Sequence, residues 1–222
     1  MSSKIKKQNC KVVLVVMIFF SSLYGFSQQE EDKLRFQLAV GFNHAFEHGF
    51  AQPDQDLSTD IAGHAFNLPT INVGAQYLLN KRWGAKLDLG YNRISNANDV
   101  PDFKINYVRI NAQAVYDYSH VFGILPEEFT LMAHGGPGYT VAKPLGTLKD
   151  NKQNYLNVML GTDLSYELSR NTTVFTDLAF VYGFSNPEDY SPPENHLGAF
   201  NGSIFTFTVG VSLSLSGCYF CN

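Results

Sequence analysis

Residues 201–215 are NGSIFTFTVGVSLSL, a stretch of strict alternation. From Phe205 every second residue is bulky and apolar, through Phe207, Val209, Val211, Leu213 and Leu215. The residues between them, Thr206, Thr208, Gly210, Ser212 and Ser214, are small or polar. A period of two marks a strand with unlike faces, because successive Cβ atoms point to opposite sides of a sheet, whereas a helix repeats every 3.6 residues.

The same alternation recurs upstream. In 34–46, Leu34, Phe36, Leu38, Val40 and Phe42 oppose Arg35, Gln37, Ala39, Gly41 and Asn43. In 68–79, Ile71, Val73, Ala75 and Tyr77 oppose Asn72, Gly74 and Gln76; in 83–92, Trp83, Leu87, Leu89 and Tyr91 oppose Lys86, Asp88 and Gly90. A fourth strand sets Val108, Ile110, Ala112, Ala114 and Tyr116 against Arg109, Asn111 and Gln113. The fifth, 129–139, is the weakest, since Gly135, Gly136, Pro137 and Gly138 interrupt it. The sixth sets Leu156, Val158, Leu160, Leu164 and Tyr166 against Asn157, Gly161, Asp163, Ser165 and Glu167. In the seventh, 173–184, Val174, Leu178, Phe180, Tyr182 and Phe184 oppose Asp177, Ala179 and Gly183.

The connections sort by position. Polar stretches at 47–67, 93–102, 141–153 and 185–201 follow the first, third, fifth and seventh strands, while 80–82 and 169–171 make short reversals after the second and sixth. Segment 117–128 is longer than the others on its side. Short turns at one end and long loops at the other, with an even strand number, are the layout of an outer-membrane barrel. The expected fold is therefore all-β: an eight-stranded antiparallel up-and-down transmembrane β-barrel with its apolar face toward lipid. Tyr77, Trp83, Tyr116 and Tyr166 would form one aromatic girdle, and Phe42, Tyr91, Tyr182 and Phe205 the other.

Composition agrees. Charged residues make up 16% of the chain, against about 25% in soluble domains. Mean hydropathy is −0.12, and no apolar run reaches the length of about 18 residues that a helical span needs. Residues 1–27 have the form of a cleaved signal peptide, with Lys4, Lys6, Lys7 and Lys11 around the start of an apolar run over 12–20, and Gly25 and Ser27 before the expected cleavage point. The barrel domain is expected over 28–216, with a tail at 217–222. Losing four lysines leaves 12 basic against 20 acidic residues, a charge near −8, which argues against a nucleic-acid partner. Cys218 and Cys221 stand alone in the tail without a second ligand pair.

The inward faces carry Arg35, Lys86 and Arg109 against Asp88, Asp163, Glu167 and Asp177. An eight-stranded barrel is just wide enough for side chains to fill it, and buried charges persist only when paired. These seven are expected to form ion pairs within the barrel, either as a polar plug or as a narrow gated ion path.

The strand texts INVGAQYLLNKRWGAKLDLGY (71–91) and YVRINAQAVYDYS (107–119), the signal segment and the closing FTFTVGVSLSL resemble the eight-stranded N-terminal barrel of OmpA-type outer-membrane proteins, over about 34–215. That resemblance implies a porin-like cell-envelope protein of a Gram-negative outer membrane. Members of the family commonly continue into a peptidoglycan-binding domain, which is not found in this sequence.

Catalytic signals are thin. His134-Gly135-Gly136-Pro137-Gly138 is like the oxyanion segment of some esterases, but no G-x-S-x-G elbow accompanies it. His44, His48, His64, Glu47, Asp54, Asp56 and Asp60 cluster near the first long loop, and Glu188, Asp189, Glu194 and His196 in the last, without metal-site spacing. The expectation is a non-enzymatic protein, with no cofactor and no metal, contributing to envelope structure or surface interaction. Its expected partners are outer-membrane lipid and lipopolysaccharide, the barrel-assembly machinery and an extracellular ligand at the loops, and a monomer is expected. Two other classes stay open: a small barrel enzyme acting on lipid or lipopolysaccharide, and a soluble lipocalin-like barrel with its apolar face inward.

Overall fold

The computed structural model describes residues 33–45, 66–95, 104–121, 125–126, 128–146, 149–150, 152–169, 171–185 and 202–214. The expected signal segment, the cysteine tail and most residues of the four long connections lie outside these.

Eight strands follow in order: β1 (Leu34–Ala45), β2 (Asn67–Leu78), β3 (Trp83–Ser95), β4 (Lys104–Asp117), β5 (Phe129–Pro144), β6 (Gln153–Ser169), β7 (Thr172–Gly183) and β8 (Ile204–Ser214). Each pairs antiparallel with the next, and β8 pairs with β1 from Arg35↔Ser214 to Ala45↔Ile204, which closes the barrel. The ladder thus has no free edge. The two faces sort as the period of two requires. Leu38, Leu87, Leu160 and Leu213 are between 51% and 64% exposed on the outer wall, while Thr206 and Thr208 are fully buried inside.

Short reversals have local causes. Asn80 Oδ1 accepts from the backbone N–H groups of Arg82 and Trp83, both at 2.9 Å, a side chain standing in for a backbone turn. The longer connection after β4 folds into a 3₁₀ turn at Ser119–Val121. Asp117 Oδ1 accepts from Ser119 N at 2.9 Å, and Ser119 Oγ accepts from Leu131 N at 2.8 Å, which ties the segment to the start of β5.

The strands differ from expectation in two places. The fifth is not interrupted: it runs through the glycines to Pro144. Its register with β4 holds at Ala114↔Gly135 and Asn111↔Gly138, and Pro137, which has no N–H to donate, falls in the gap between them. At Gly136 any Cβ would strike the Ala112 carbonyl oxygen, so glycine there lets β4 and β5 approach. Second, β3 extends into the stretch expected as a loop at 93–102, and β5 and β6 into that at 141–153. At this end of β3 to β6 the alternation continues with its polarity reversed: Ile94, Ile105, Tyr107, Ala142 and Tyr155 point inward and are buried, while Arg93, Lys104, Asn106 and Lys143 lie in the outward phase.

Aromatic pairs mark both ends of the wall. Trp83 packs on Tyr116 at 4.6 Å and Phe129 on Tyr166 at 4.9 Å near the short turns. Toward the long connections, Phe42 meets Phe66 at 5.1 Å and Phe207 at 5.2 Å, and Tyr182 meets Phe184 at 5.0 Å.

Candidate functional site: the barrel interior

The interior has two layers of unlike chemistry. The polar one forms the waist and centres on Arg109 of β4. Its partner across the β3–β4 ladder is Gly90, where a Cβ would come within 2.7 Å of the guanidinium carbon. Glycine there makes room for the largest inward side chain. Arg109 Nη1 donates to Asp88 in a close ion pair and to Asn111 Oδ1 at 3.1 Å, and Nη2 donates to Asn72 Oδ1 at 3.1 Å. Side chains of β2, β3 and β4 thereby engage both terminal nitrogens of a fully buried guanidinium, while Nε has no hydrogen-bond partner among the described residues.

A second group gathers residues of β3, β4, β5, β6 and β7. His134 Nδ1 lies 2.6 Å from Gln113 Oε1, and Nε2 lies 2.9 Å from Asp177 Oδ2. Lys86 Nζ reaches the same carboxylate oxygen across the lumen at 3.9 Å. Opposite His134 stands Gly161, where a Cβ would fall 2.6 Å from Nε2. Asp163 accepts from Ser165 Oγ at 3.2 Å and pairs with Asp177 in the β6–β7 register. His134, Asp163 and Asp177 bring ligand-type atoms within 4.8 Å of one another, so they are the residues that could hold a metal ion. Lys86 already supplies a positive charge to Asp177, so a metal ion would compete with it there. Beside this group, Gln37, Asn72, Lys86, Asp88, Asp177 and Thr208 border a cavity of about 10 Å³, room for about one water.

Of the seven expected interior charges, Lys86, Asp88, Arg109, Asp163 and Asp177 are buried together. Arg35 is half-buried and Glu167 exposed, both toward the short-turn end, so these two stand apart from the central group. Glu167 lies where the β6–β7 register shifts between Glu167 and Ser169.

Above the waist, toward the long connections, an apolar cluster fills part of the lumen. Ile94, Ile105, Tyr107, Met159, Val181 and Ile204 are at most 1% exposed, and Ala45, Ala142 and Tyr155 fill the space among them. Polar groups stand beside this cap on β1 and β2, where Asn43 Nδ2 donates to Thr70 Oγ1 at 3.0 Å, and a polar thread runs through the cap itself. Asn157 Nδ2 donates to Thr140 Oγ1 at 2.8 Å, Thr140 Oγ1 to the Tyr107 hydroxyl at 3.2 Å, and that hydroxyl to the Gly202 carbonyl at 3.3 Å. Gly202 has a φ of +83°, a conformation that favours glycine. The sequence reading missed the cap, although Ile105 and Tyr107 keep phase with Arg109, and Val181 keeps phase with Asp177.

No protein-family model matches the chain, and no curated protein does. Solved structures do. The chain is similar to a major outer membrane protein from Thermus thermophilus, with a TM-score of 0.56 and 14% identity over 83% of this chain and 99% of that one. It is similar to the outer membrane protein OprG from Pseudomonas aeruginosa, at 0.53 and 10% over 84% and 98%. A third is Neisserial surface protein A, at 0.52 and 14% over 82% and 96%. What the chain shares with these proteins is the fold, a closed eight-stranded antiparallel barrel.

Proposed function

We propose that this chain is a non-enzymatic outer-membrane protein, a monomeric barrel of the OmpA type that contributes to envelope structure and presents its long connections to partners outside the cell. One observation carries this reading: large apolar side chains stand exposed around the wall, on β1 (Leu38, Val40), β3 (Leu87, Leu89), β6 (Leu156, Leu160) and β8 (Val209, Leu213), while the charges of the waist are enclosed. An apolar belt of that extent is not tolerated in water and is satisfied by acyl chains. Orientation follows the usual asymmetry, with short turns in the periplasm and long connections outside.

The filled lumen supports a structural role over conduction. The waist is held by ion pairs and hydrogen bonds, and the cap of Ile94, Ile105, Val181 and Ile204 lies across the path an ion would take. Insertion by the barrel-assembly machinery is part of the same reading.

Fractionation of expressing cells, followed by detergent electrophoresis with and without boiling, tests the proposal. The expected result is an outer-membrane protein whose unboiled band migrates faster than the boiled one. A water-soluble periplasmic protein without heat-dependent mobility overturns it.

A further inference from the structure

The outer wall near the long connections is unlike on its two sides. On β7, β8, β1 and β2 the outward residues at that level are Phe42, Phe66, Leu68, Tyr182, Phe184, Phe205 and Phe207 together with His44, and no Lys, Arg, Asp or Glu stands among those described. On β3 to β6 the corresponding row is basic. Arg93 pairs in register with Asn106, and Asn106 with Lys143. Lys104 faces Ser95 one step further along, and exposed Lys152 directly precedes β6. This concentration of positive charge occurs in a chain with more acidic than basic residues.

Two details raise it above scattered surface lysines. Arg93 is held against the wall, with Nε and Nη2 donating to the Tyr91 hydroxyl at 3.3 and 3.2 Å while that hydroxyl donates to Asn106 Oδ1 at 3.0 Å. And none of Arg93, Lys104, Lys143 and Lys152 forms an ion pair with a described residue. The row begins two residues beyond Tyr91 and Val141, the last outward apolar positions of β3 and β5, about 7 Å along a strand. In a barrel whose apolar belt spans the hydrocarbon, that is headgroup depth.

We propose that Arg93, Lys104, Lys143 and Lys152 form a binding site for the phosphate groups of an anionic lipid in the outer leaflet, so that the barrel holds phosphorylated lipid on its β3–β6 side and ordinary interfacial contacts on its aromatic side. Charge complementarity identifies the occupant. A planar guanidinium fixed in place suits a phosphate oxygen pair, and flexible lysines reach along the wall to meet further phosphates. This inference rests on the outer-membrane reading for its orientation.

The test is native mass spectrometry of the full chain folded in detergent, with three probes: bis-phosphorylated lipid A, the same glycolipid without phosphates, and phosphatidylcholine. Wild type is expected to retain the phosphorylated lipid selectively. The triple variant Arg93→Gln, Lys104→Gln, Lys143→Gln, altered only at half-buried or exposed side chains, loses about 100-fold in apparent affinity, while Lys81→Gln with Arg82→Gln at the opposite end leaves it unchanged. Excess inorganic phosphate leaves wild-type binding intact. Equal retention of dephosphorylated lipid, equal loss in both variants, or displacement by inorganic phosphate overturns the site. Heat-dependent mobility of each sample separates this failure from the other: a folded barrel without phosphate preference refutes only this site, whereas a chain that never inserts refutes the outer-membrane reading.

Discussion

The waist and the cap of the lumen are built by the same strands in the same phase, yet they are chemically opposite. At the waist the wall is inside-out: Leu87 and Leu89 look outward and Lys86 and Asp88 inward. Six residues further along β3, Arg93 is outward and Ile94 inward. β4 makes the same exchange between Arg109 and Ile105, and β6 between Asp163 and Tyr155. Nothing in the backbone changes at the crossing, since the ladders of β3–β4 and β5–β6 run on in one register. In the outer-membrane reading proposed above, the surrounding medium changes instead. While the wall touches acyl chains, polar groups are cheapest inside; where it emerges into headgroups and water, the ordinary rule of an apolar interior returns.

The two layers are therefore held by different forces and should fail differently. The largest effect is expected at the waist. Arg109→Leu leaves Asp88 buried without its cation and should cost about 4 kcal/mol in urea unfolding from lipid vesicles. Adding Asp88→Leu should recover part of that loss, and a loss that instead doubles would mean that the two do not act as a pair. In the cap, Ile105→Ala removes packing without stranding a charge and should cost about 3 kcal/mol; a cost near zero would show that the cap is not closely packed. Gly161→Ala pushes a methyl against the His134 ring and should cost about 2 kcal/mol, with the barrel still closed by heat-dependent mobility. Smallest is Leu160→Ala on the outer wall, about 0.5 kcal/mol or less, because lipid fills the space the side chain leaves. If Leu160→Ala proved as costly as Ile105→Ala, the distinction between inside and outside would be lost.

How much of this was legible in the sequence follows from the same inversion. Strand number, order and the outward set could be read because lipid imposes one polarity along most of each strand. The buried charges Lys86, Asp88, Arg109, Asp163 and Asp177 could be placed inside, but their pairing could not. Lys86 reaches Asp177 across the lumen from β3 to β7, and Arg109 takes Asp88 rather than its register partner Gly90. Both depend on how the closed barrel staggers its strands, which no single strand records. The cap was hidden for a different reason. Arg93 and Lys143 help make 93–102 and 141–153 look like polar loops, because a strand leaving the membrane carries its polar residues outward. Period-two phase survives the inversion, so Ile94, Ile105 and Tyr155 were findable by extending phase rather than by looking for the same polarity.

The claim on which everything else rests is that the oily face touches lipid. It is tested most directly by replacing the single tryptophan, Trp83→Phe, introducing Leu160→Trp at the outward middle of β6, and folding the protein into vesicles of lipid brominated along its acyl chains. The outward orientation predicts strong quenching of the new tryptophan relative to unbrominated lipid, with no quenching by aqueous iodide. Fluorescence untouched by bromine would contradict it and put Leu160 in an interior sealed from the membrane.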